Sequence, residues 1–349
     1  MATVIEEGKK NTAWAPTEVG PEDCATFSYT SGTTGDPKGV KLTHGMLVQC
    51  AAAVNGRLEN TNQQLSERDT YISYLPAAHS FEQALFAVVC VYGMRCGFYS
   101  GDPIKLLKED LPALRPTFFP SVPRIFNRVY GIIKDKISTS AGQGRGGGCK
   151  HWLIDKAIAT KLANLKRTGT VRSKMYDKVV FKKFRAFLGG NVRLMITGSA
   201  PISAEVLDFL KVCFCCPIAE GYGMTETCAG SFTTFLNDPV SGHVGGPLAN
   251  IKVRLRDIPE MGYLSSANPP KGEICMWGTS IMKGYFKNPE KTAEAFQDGW
   301  LLSGDVGVIN PNGSVNIIDR AKNIFKLSQG EYIAPEKLEN VYIQCPWLQ

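Results

Sequence analysis

Residues 28–39 read SYTSGTTGDPKG, and this segment is the most informative one in the chain. Its glycines can adopt positive φ and bring backbone N–H groups close to a ligand, and its hydroxyl side chains add short donors. Lys38 adds a point charge suited to a phosphate. The residues that we assign to this predicted phosphate site are Thr30, Ser31, Gly32, Thr33, Thr34, Gly35 and Lys38. A flexible surface linker is the alternative interpretation.

The flanks of the segment predict its setting. An apolar, strand-like run (Ala25–Tyr29) precedes it, and Thr43 is placed to cap a helix that continues through Ala53. Strand, glycine loop and helix form an arrangement that binds nucleotide phosphates. The segment is not a Walker A loop, because Gly39 rather than Ser or Thr follows Lys38 and the glycine spacing differs.

The composition is that of an ordinary globular protein. At 349 residues, 44% of them hydrophobic, the chain is long enough for two or more domains. The longest apolar stretch, Ala84–Met94, is too short to cross a bilayer, and residues 1–23 contain no signal-peptide core. We therefore expect no transmembrane segment and no signal peptide in this chain, and we expect no nucleic-acid partner.

The eleven cysteines follow no disulfide-like or zinc-like spacing. The tightest cluster is Cys213, Cys215 and Cys216, which lies in an apolar, strand-like run with no His close by. Buried thiols are therefore favoured over a metal site. A reducing, cytosolic compartment is the corresponding expectation.

Positive charge is concentrated between Lys150 and Arg185, where eleven Lys or Arg residues accompany only Asp155 and Asp177. A basic amphipathic helix can lie on an anionic membrane or bind a polyphosphate. The interpretation that we favour is a helix whose apolar stripe faces the core. The apolar residues near helical spacing are Trp152, Ile154, Ile158, Leu162 and Leu165.

From residue 25 to about 239, strand-like runs alternate with helical stretches such as 203–212, which Ser203 can cap. This alternation predicts α/β layers with a parallel sheet. The runs are FSYT, TYISYLP, GMRCGFY, TFFPSV and VRLMIT, and the Gly-rich QGRGGG (143–148) is expected to be a mobile loop.

Past Val240 the pattern changes to short runs separated by Gly, Pro and Asn turns, including Asn312-Gly313, a strong hairpin signal. The runs IKVRLRD, GEICMWG, VGVINP and SVNIID predict an antiparallel sheet or a distorted barrel. A further piece begins with a helix that opens near Pro335 and runs past Glu339. We divide the chain into an irregular lead-in (1–24), an α/β subdomain (25–239), a β-rich subdomain (240–319) and a C-terminal piece (320–349).

Two segments supply further candidate residues. VRLMITGSAP (192–201) is a strand that ends in a small-residue loop, where a flat base could lie against the backbone of Gly198, Ser199 and Ala200; a tight turn is the alternative. In GYGMTET (221–227), one aromatic ring is available for stacking and one carboxylate for Mg²⁺. The candidates there are Gly221, Tyr222, Gly223, Thr225 and Glu226, and a buried Tyr with a surface Glu is the alternative.

Together with GWLLSGDVG (299–307) and IIDRAKNIFKLSQGEYIAPEKLENVY (317–342), these segments resemble the adenylate-forming superfamily. The superfamily contains acyl-CoA synthetases, adenylation domains and luciferases, and the order of the segments is most similar to long-chain fatty-acyl-CoA synthetases. The resemblance runs from about Ala25 to the last residue. It implies the adenylate-forming fold, with parallel α/β layers, a distorted antiparallel β-barrel and the start of a small C-terminal domain.

The activity that the resemblance implies is ATP-dependent activation of a long-chain fatty acid through an acyl-adenylate, with coenzyme A as acceptor and Mg²⁺ as metal. Catalytic roles are implied for Lys38, His79, Thr225 and Glu226, with Glu226 on the metal. His79 lies in YLPAAHSFEQ (74–83), which matches the acyl-tunnel entry, and a satisfied core histidine is the alternative.

For the sugar, the resemblance implies that Asp305 accepts both ribose hydroxyls and that Arg320 donates to the same ring. Asp319-Arg320 also occupies the family's hinge. Ser303 and Ala321 depart from the family, which commonly has Thr and Lys at these places.

The resemblance also suggests a central portion of such an enzyme, without the N-terminal part and most of the C-terminal domain, including its catalytic lysine. A chain of that kind is expected to be a fragment, an incomplete gene model or a degenerate paralogue with poor synthetase activity. A non-catalytic nucleotide-binding module and an adenylating enzyme for another acid stay open. Attachment to the cytosolic face of the endoplasmic reticulum or another membrane, chain-length preference and oligomeric state also stay open.

Overall fold

A computed structural model describes residues 2–11, 15, 17–30, 37–59, 61–141, 147–321, 323–326, 332–333, 335, 338 and 342. The predicted phosphate-loop residues Ser31, Gly32, Thr33, Thr34 and Gly35 lie outside the described residues. So do residues 143–146 of the predicted mobile loop and most of the helix predicted near Pro335 and Glu339.

The lead-in is not wholly irregular, because α1 (Ala2–Lys10) is a helix. It contains good helix formers and an ion pair between Lys9 and Glu6 at 2.8 Å, one turn apart. None of its residues is buried, so local propensity rather than packing accounts for it. The expectation of an irregular segment is wrong at residues 2–10.

The segment that carries Lys38 is the second arm of a β-hairpin. Strand β1 (Cys24–Thr30) pairs antiparallel with β2 (Lys38–Thr43), and α2 (His44–Gly56) begins only after β2 ends. The predicted order of strand, loop and helix is therefore wrong, as is the placement of FSYT in the parallel sheet. The predicted cap is confirmed, since the Thr43 hydroxyl accepts a hydrogen bond from the Met46 N–H at 3.2 Å.

The physical reason for the hairpin is a period-two pattern in KGVKLT. Val40 and Leu42 are fully buried while Lys41 between them is half-buried, as expected for a strand with one face in the core. Both side chains belong to a hydrophobic cluster with Phe232, Ile274 and Leu301. This cluster joins the hairpin to the two larger sheets and fixes the position of Lys38.

The central layer is a seven-stranded sheet in the order β4-β3-β5-β6-β7-β8-β9. Its first five strands run parallel, and the last two are antiparallel. The strands are β3 (Thr70–Ser73), β4 (Arg95–Phe98), β5 (Phe118–Ser121), β6 (Leu194–Thr197), β7 (Ile218–Tyr222), β8 (Phe232–Thr233) and β9 (Gly246–Pro247). The parallel sheet predicted from the other four runs is confirmed.

Helices cover this sheet. They are α3 (Ser80–Val91), α4 (Pro103–Lys105), a π-helical segment (Leu106–Asp110), α5 (Leu111–Leu114), α6 (Pro123–Ala141), α7 (Gly147–Thr168), α8 (Lys174–Val179), α9 (Lys182–Ala186) and α10 (Ala204–Phe214). A later helix, α11 (Pro289–Glu294), contacts the second sheet. Ser203 caps α10, as predicted, through a hydrogen bond from the Val206 N–H. Among the described helices, none has the length and apolar character needed to cross a bilayer.

Two predictions about this helical layer have clear outcomes. The apolar stripe of α7 does face the core, where Leu165 is buried and Ile154, Ile158 and Leu162 are partly buried; Trp152 is the exception at 59% exposed. The strand predicted for the cysteine cluster is wrong, because α10 continues to residue 214. The thiols of Cys213, Cys215 and Cys216 are buried, as predicted.

A second sheet follows the parallel one. Its strands are β10 (Ile251–Arg256), β11 (Lys271–Gly278), β12 (Phe296–Gln297), β13 (Trp300–Ile309) and β14 (Val315–Arg320), all paired antiparallel. The predicted hairpin at Asn312-Gly313 joins β13 to β14, and Gly313 takes a φ of 80°. A short pair, β15 (Phe325–Lys326) and β16 (Tyr332–Ile333), follows.

Candidate functional site

The hairpin, the ends of the parallel strands and the second sheet surround one large cavity of about 1480 Å³. Loops at the carboxyl ends of parallel strands are where α/β proteins bind ligands. Most of the predicted site residues among the described ones line it: Thr30, Lys38, His79, Ser199, Ala200, Gly221, Tyr222, Gly223, Thr225, Glu226, Asp305 and Arg320. Gly198 lines an adjoining apolar pocket instead.

Lys38 and Glu226 are connected through Tyr285, which the sequence analysis missed. The Tyr285 hydroxyl donates to Glu226 Oε1 at 2.8 Å, and Lys38 Nζ lies 3.4 Å from the same hydroxyl. The ammonium is also 4.6 Å from the centre of the Tyr285 ring. Burial, followed by the Glu226 charge, raises the pKa of Tyr285, so that its hydroxyl keeps its proton. The tyrosine therefore orients a buried carboxylate beside a cation.

Nothing in the local sequence around Tyr285 indicates this role. The residue reaches the site because it forms an isolated antiparallel bridge with Val40. The next N–H, that of Phe286, donates to the Gly39 carbonyl at 2.7 Å. The contact therefore depends on the hairpin that the sequence analysis did not predict.

The GYGMTET segment ends in a short 3₁₀ turn, Thr225–Thr227. The Thr225 and Ser80 hydroxyls are 3.3 Å apart, which ties this turn to the start of α3. A Cβ added at Gly223 would meet the Ala229 carbonyl oxygen at 2.2 Å. Gly223 thus makes room for the neighbouring backbone.

The predicted base-stacking residue and the predicted ribose residue contact each other directly. The Tyr222 hydroxyl donates to Asp305 Oδ2 at 2.5 Å. Arg320 lies opposite Asp305 across β13 and β14, with its Nε 3.5 Å from Asp305 Oδ1. Burial raises the pKa of Asp305, and the Tyr222 hydrogen bond and the Arg320 charge oppose that rise. These two partners favour the carboxylate form that accepts hydrogen bonds.

Glu220 is a second residue that the sequence analysis missed. It is 7% exposed and lines the cavity, and its Oε2 has no hydrogen-bond partner among the residues that the structure describes. Burial raises the pKa of Glu220 to about 8, although the nearby Lys211 lowers it. The signal that could have revealed it is an acidic residue within the apolar run that becomes β7.

His79 caps α3. Its Nδ1 accepts a hydrogen bond from the Phe81 N–H at 3.1 Å, and the side chain is exposed at the cavity wall. The cap accounts for one ring nitrogen. A catalytic role for this histidine stays a prediction.

Behind the cavity lies an apolar pocket. It is formed by side chains of α2 and α3, including Cys50, Phe81, Leu85 and Val88, and by the ends of the parallel strands. Four residues line both spaces: Ser199, Gly221, Gly223 and Ala229. A polar cavity and an apolar pocket therefore share a wall made of small residues.

The described side chains of the cavity could hold a magnesium ion only if a bound ligand supplied further oxygen atoms. Among the described residues there is no group of three or more His, Cys, Asp or Glu side chains that could hold a metal. Glu226 offers a carboxylate, already oriented by Tyr285. Mg²⁺ commonly takes one or two carboxylates and completes its shell with phosphate oxygens and water, so this residue fits such an ion bound with a nucleotide.

Comparison with known proteins agrees with this geometry. Residues 2–286 match the family described as AMP-binding enzyme. The chain is 46% identical over 327 residues to long chain acyl-CoA synthetase 5 of Arabidopsis thaliana and 45% identical over 331 residues to long-chain-fatty-acid–CoA ligase 1 of Homo sapiens. These alignments cover 93% and 94% of this chain but 48% and 46% of the relatives. The chain thus spans about half the length of the curated relatives it matches.

Solved structures give the same fold. The adenylation domain of a carboxylate reductase from Mycobacterium chelonae superposes with a TM-score of 0.76 at 25% identity, over 99% of this chain and 48% of that one. The A domain of a carboxylic acid reductase from Segniliparus rugosus, in complex with AMP and a co-purified carboxylic acid, superposes with a TM-score of 0.72 at 25% identity, over 99% and 49%. The predicted adenylate-forming fold is confirmed.

Proposed function

Because the chain belongs to the AMP-binding enzyme family, we propose that it takes part in the ATP-dependent activation of long-chain fatty acids. A fatty carboxylate attacks the α-phosphorus of ATP to give acyl-adenylate and pyrophosphate, and the coenzyme A thiolate then displaces AMP. The observation that carries this proposal is the wall shared by the polar cavity and the apolar pocket. Such a wall suits a substrate with a charged head and an apolar tail.

For the nucleoside, the proposal assigns the sugar to Asp305 and Arg320. Asp305 accepts the ribose hydroxyls, and Arg320 and the Tyr222 hydroxyl favour its carboxylate form, which burial disfavours. The base lies beside Tyr222 and the backbone of Gly198, Ser199 and Ala200. Tyr222 has a ring partner already, because Phe232 packs edge-on against it at 5.7 Å.

For the phosphates, the proposal assigns neutralisation of their negative charge to Lys38, Thr225 and Glu226. Lys38 stands at the start of β2, directly after the glycine loop, and supplies a positive charge to the phosphates. Glu226 would hold a magnesium ion, which supplies further positive charge at the phosphate oxygens when it is bound. Tyr285 holds the Glu226 carboxylate in place through its hydroxyl.

The acid part of the proposal assigns the carboxyl end of the fatty chain to the apolar pocket lined by Phe81, Leu85 and Val88, whose volume of about 70 Å³ holds only the first few carbons. Its carboxylate then lies at the shared wall, beside Ser199 and Gly221. His79 stands at the cavity side of α3, where it is close to the predicted entry. Each methylene group buried in this pocket contributes about 0.8 kcal/mol to binding.

The partners in this proposal are fatty acid, ATP and coenzyme A. The proposed location is the cytosol, with peripheral contact to a membrane from which the fatty acid is drawn. The relatives at 45–46% identity are named for long-chain acids, which favours a long acyl chain over an aryl acid.

The test is ATP–pyrophosphate exchange by the chain with palmitate, octanoate and benzoate, followed by acyl-CoA formation with the acid that works. We expect exchange with palmitate and loss of exchange in Asp305→Ala, while Glu59→Gln, a change at an exposed site, serves as the matched control. Exchange with benzoate alone would indicate another acid. Tight ATP binding without exchange for any acid would indicate a non-catalytic nucleotide-binding module.

A further inference from the structure

A strongly basic surface lies on the helices α7, α8 and α9. Residues 150–185 contain eleven Lys or Arg and two acidic residues, a net charge of +9, whereas the whole chain has +7 and the remainder therefore −2. Both acidic side chains are engaged within the segment, since Asp155 lies 2.9 Å from His151 and Asp177 lies 2.6 Å from Lys161. The surplus of positive charge in this segment has no internal counter-charge.

Most of these cations point into solvent. Lys161 is buried and pairs with Asp177, but nine of the other basic residues are exposed: Lys150, Lys156, Lys166, Arg167, Arg172, Lys174, Lys178, Lys182 and Lys183. None of the described residues of this segment lines the nucleotide cavity. The surface is therefore separate from the proposed site of chemistry.

Large apolar side chains are exposed among these cations. On α8, Met175 is 60% and Val179 is 67% exposed, and on α7 Trp152 is 59% exposed. Met175 and Val179 are four residues apart and share one helical face, while Val180 and Phe181 are buried in the core. We call the outward part of α8 and α9 the basic face: Lys174, Met175, Lys178, Val179, Lys182 and Lys183.

We propose that the basic face docks on an anionic phospholipid surface. Lysines near such a surface are attracted by its negative potential, and a short helix with apolar residues between them can insert those residues among the headgroups. A soluble polyphosphate would satisfy the lysines but would leave Met175 and Val179 in water. The combination of cations and exposed apolar side chains therefore favours a bilayer. This docking rests on the membrane contact in the proposed function and assigns that contact to a surface, and its test uses neither ATP nor fatty acid, so that it can fail while the proposed activity stands.

The experiment measures co-sedimentation of the full chain with phosphatidylcholine vesicles, with and without phosphatidylserine, in the absence of ATP and fatty acid. Lys178→Ala/Lys182→Ala should weaken partition onto the phosphatidylserine vesicles about 30-fold, because each lysine contributes about fivefold. The matched control is Lys105→Ala/Lys108→Ala, which removes the same charge from two other exposed lysines and should leave partition within about threefold of the original.

The apolar contribution is tested with Met175→Gln, which should weaken partition about tenfold. Ile104→Gln, at a side chain that is 55% exposed elsewhere, is its control and should have no effect. All variants are surface changes, and ATP affinity measured in parallel reports on their folding. The proposal is overturned if the chain does not bind phosphatidylserine vesicles at low salt or if both double variants bind alike. It is also overturned if Met175→Gln has no effect while coenzyme A displaces the chain, which would identify a polyphosphate site.

Discussion

Replacing Glu220 by Gln should stabilise the protein and remove a pH dependence of its stability. Burial raises the pKa of this carboxyl from its ordinary 4.5 to about 8. The folded protein therefore holds the proton at neutral pH, while the unfolded chain releases it. Glutamine has the same shape and carries no titratable proton. The substitution therefore removes the cost of keeping a carboxylic acid protonated.

The magnitude follows from the separation of the two pKa values. A carboxyl group whose pKa is raised by folding makes its full contribution to the free energy of unfolding at pH values below its unfolded pKa. This contribution is lost as the pH rises through the folded pKa, because over this range the unfolded chain binds fewer protons than the folded protein. Neutral pH lies about 2.5 units above the unfolded value, and each unit is worth about 1.4 kcal/mol. The expected gain for Glu220→Gln at about pH 7 is therefore about 3 kcal/mol.

The assay is urea denaturation of both proteins at about pH 5 and about pH 8. The free energy of unfolding of the original protein should fall by about 3–4 kcal/mol relative to that of Glu220→Gln across this interval. Glu59→Gln, at an exposed glutamate, should leave the pH dependence unchanged. The reasoning would be refuted if the difference in free energy of unfolding between the two proteins changed by less than about 1 kcal/mol from the lower pH to the higher, because the Glu220 carboxyl would then titrate normally in the folded state.

Three further substitutions test the nucleotide site. Glu226→Gln should weaken the Mg²⁺-dependent part of ATP affinity in calorimetric titrations, and equal Mg²⁺ dependence in both proteins would contradict the metal assignment. Asp305→Ala should remove two charge-assisted hydrogen bonds to ribose, each worth about 1.5–3 kcal/mol, so a loss of AMP affinity below about threefold in a folded variant would count against it. Tyr285→Phe leaves Glu226 Oε1 without its donor at 2.8 Å and should lower the free energy of unfolding by about 1–3 kcal/mol; an unchanged value would mean that the carboxylate finds water instead.

The parallel sheet could be predicted because its signals are local. The runs TYIS, FFPS and LMIT are short and mostly apolar, and RCGF follows a Gly turn, so the local sequence is enough to predict a strand at each place. The caps at Thr43 and Ser203 are local as well, since each side chain accepts from an N–H three residues later. Turn chemistry at Asn312-Gly313 is equally local, and its hairpin was found.

The misassigned elements are those where two local signals compete. KGVKLT alternates as a strand should, but it stands directly before a helix cap, and the glycine loop before it suggested a helix next. Whether such a segment pairs is decided by burial of Val40 and Leu42 against residues of the second sheet, more than 190 positions away. Tertiary packing, not local pattern, makes the strand.

The site itself combines local and distant information. Lys38, Tyr222, Glu226 and Asp305 were named from motifs, although nothing in the motifs says that Tyr222 and Asp305 touch. Tyr285 and Glu220 were missed for different reasons. Tyr285 is 247 positions from Lys38 and reaches it only through the hairpin register. Glu220 directly precedes the recognised motif GYGMTET, but its unusual environment arises from burial, which one sequence does not reveal.

The shared wall also limits where acyl specificity can be encoded. Gly223 cannot accept a side chain, because a Cβ there would meet the Ala229 carbonyl oxygen at 2.2 Å, and one at Gly221 would press on the Phe232 carbonyl at 3.2 Å. Both contacts are with backbone, which cannot move aside as a side chain can. Under the proposed function, the carboxylate end of the pocket is therefore fixed by strand packing. Variation in which acyl group is accepted is therefore expected at the α3 side chains that line the same pocket, such as Phe81, Leu85 and Val88, because these can change size without moving the backbone of the wall.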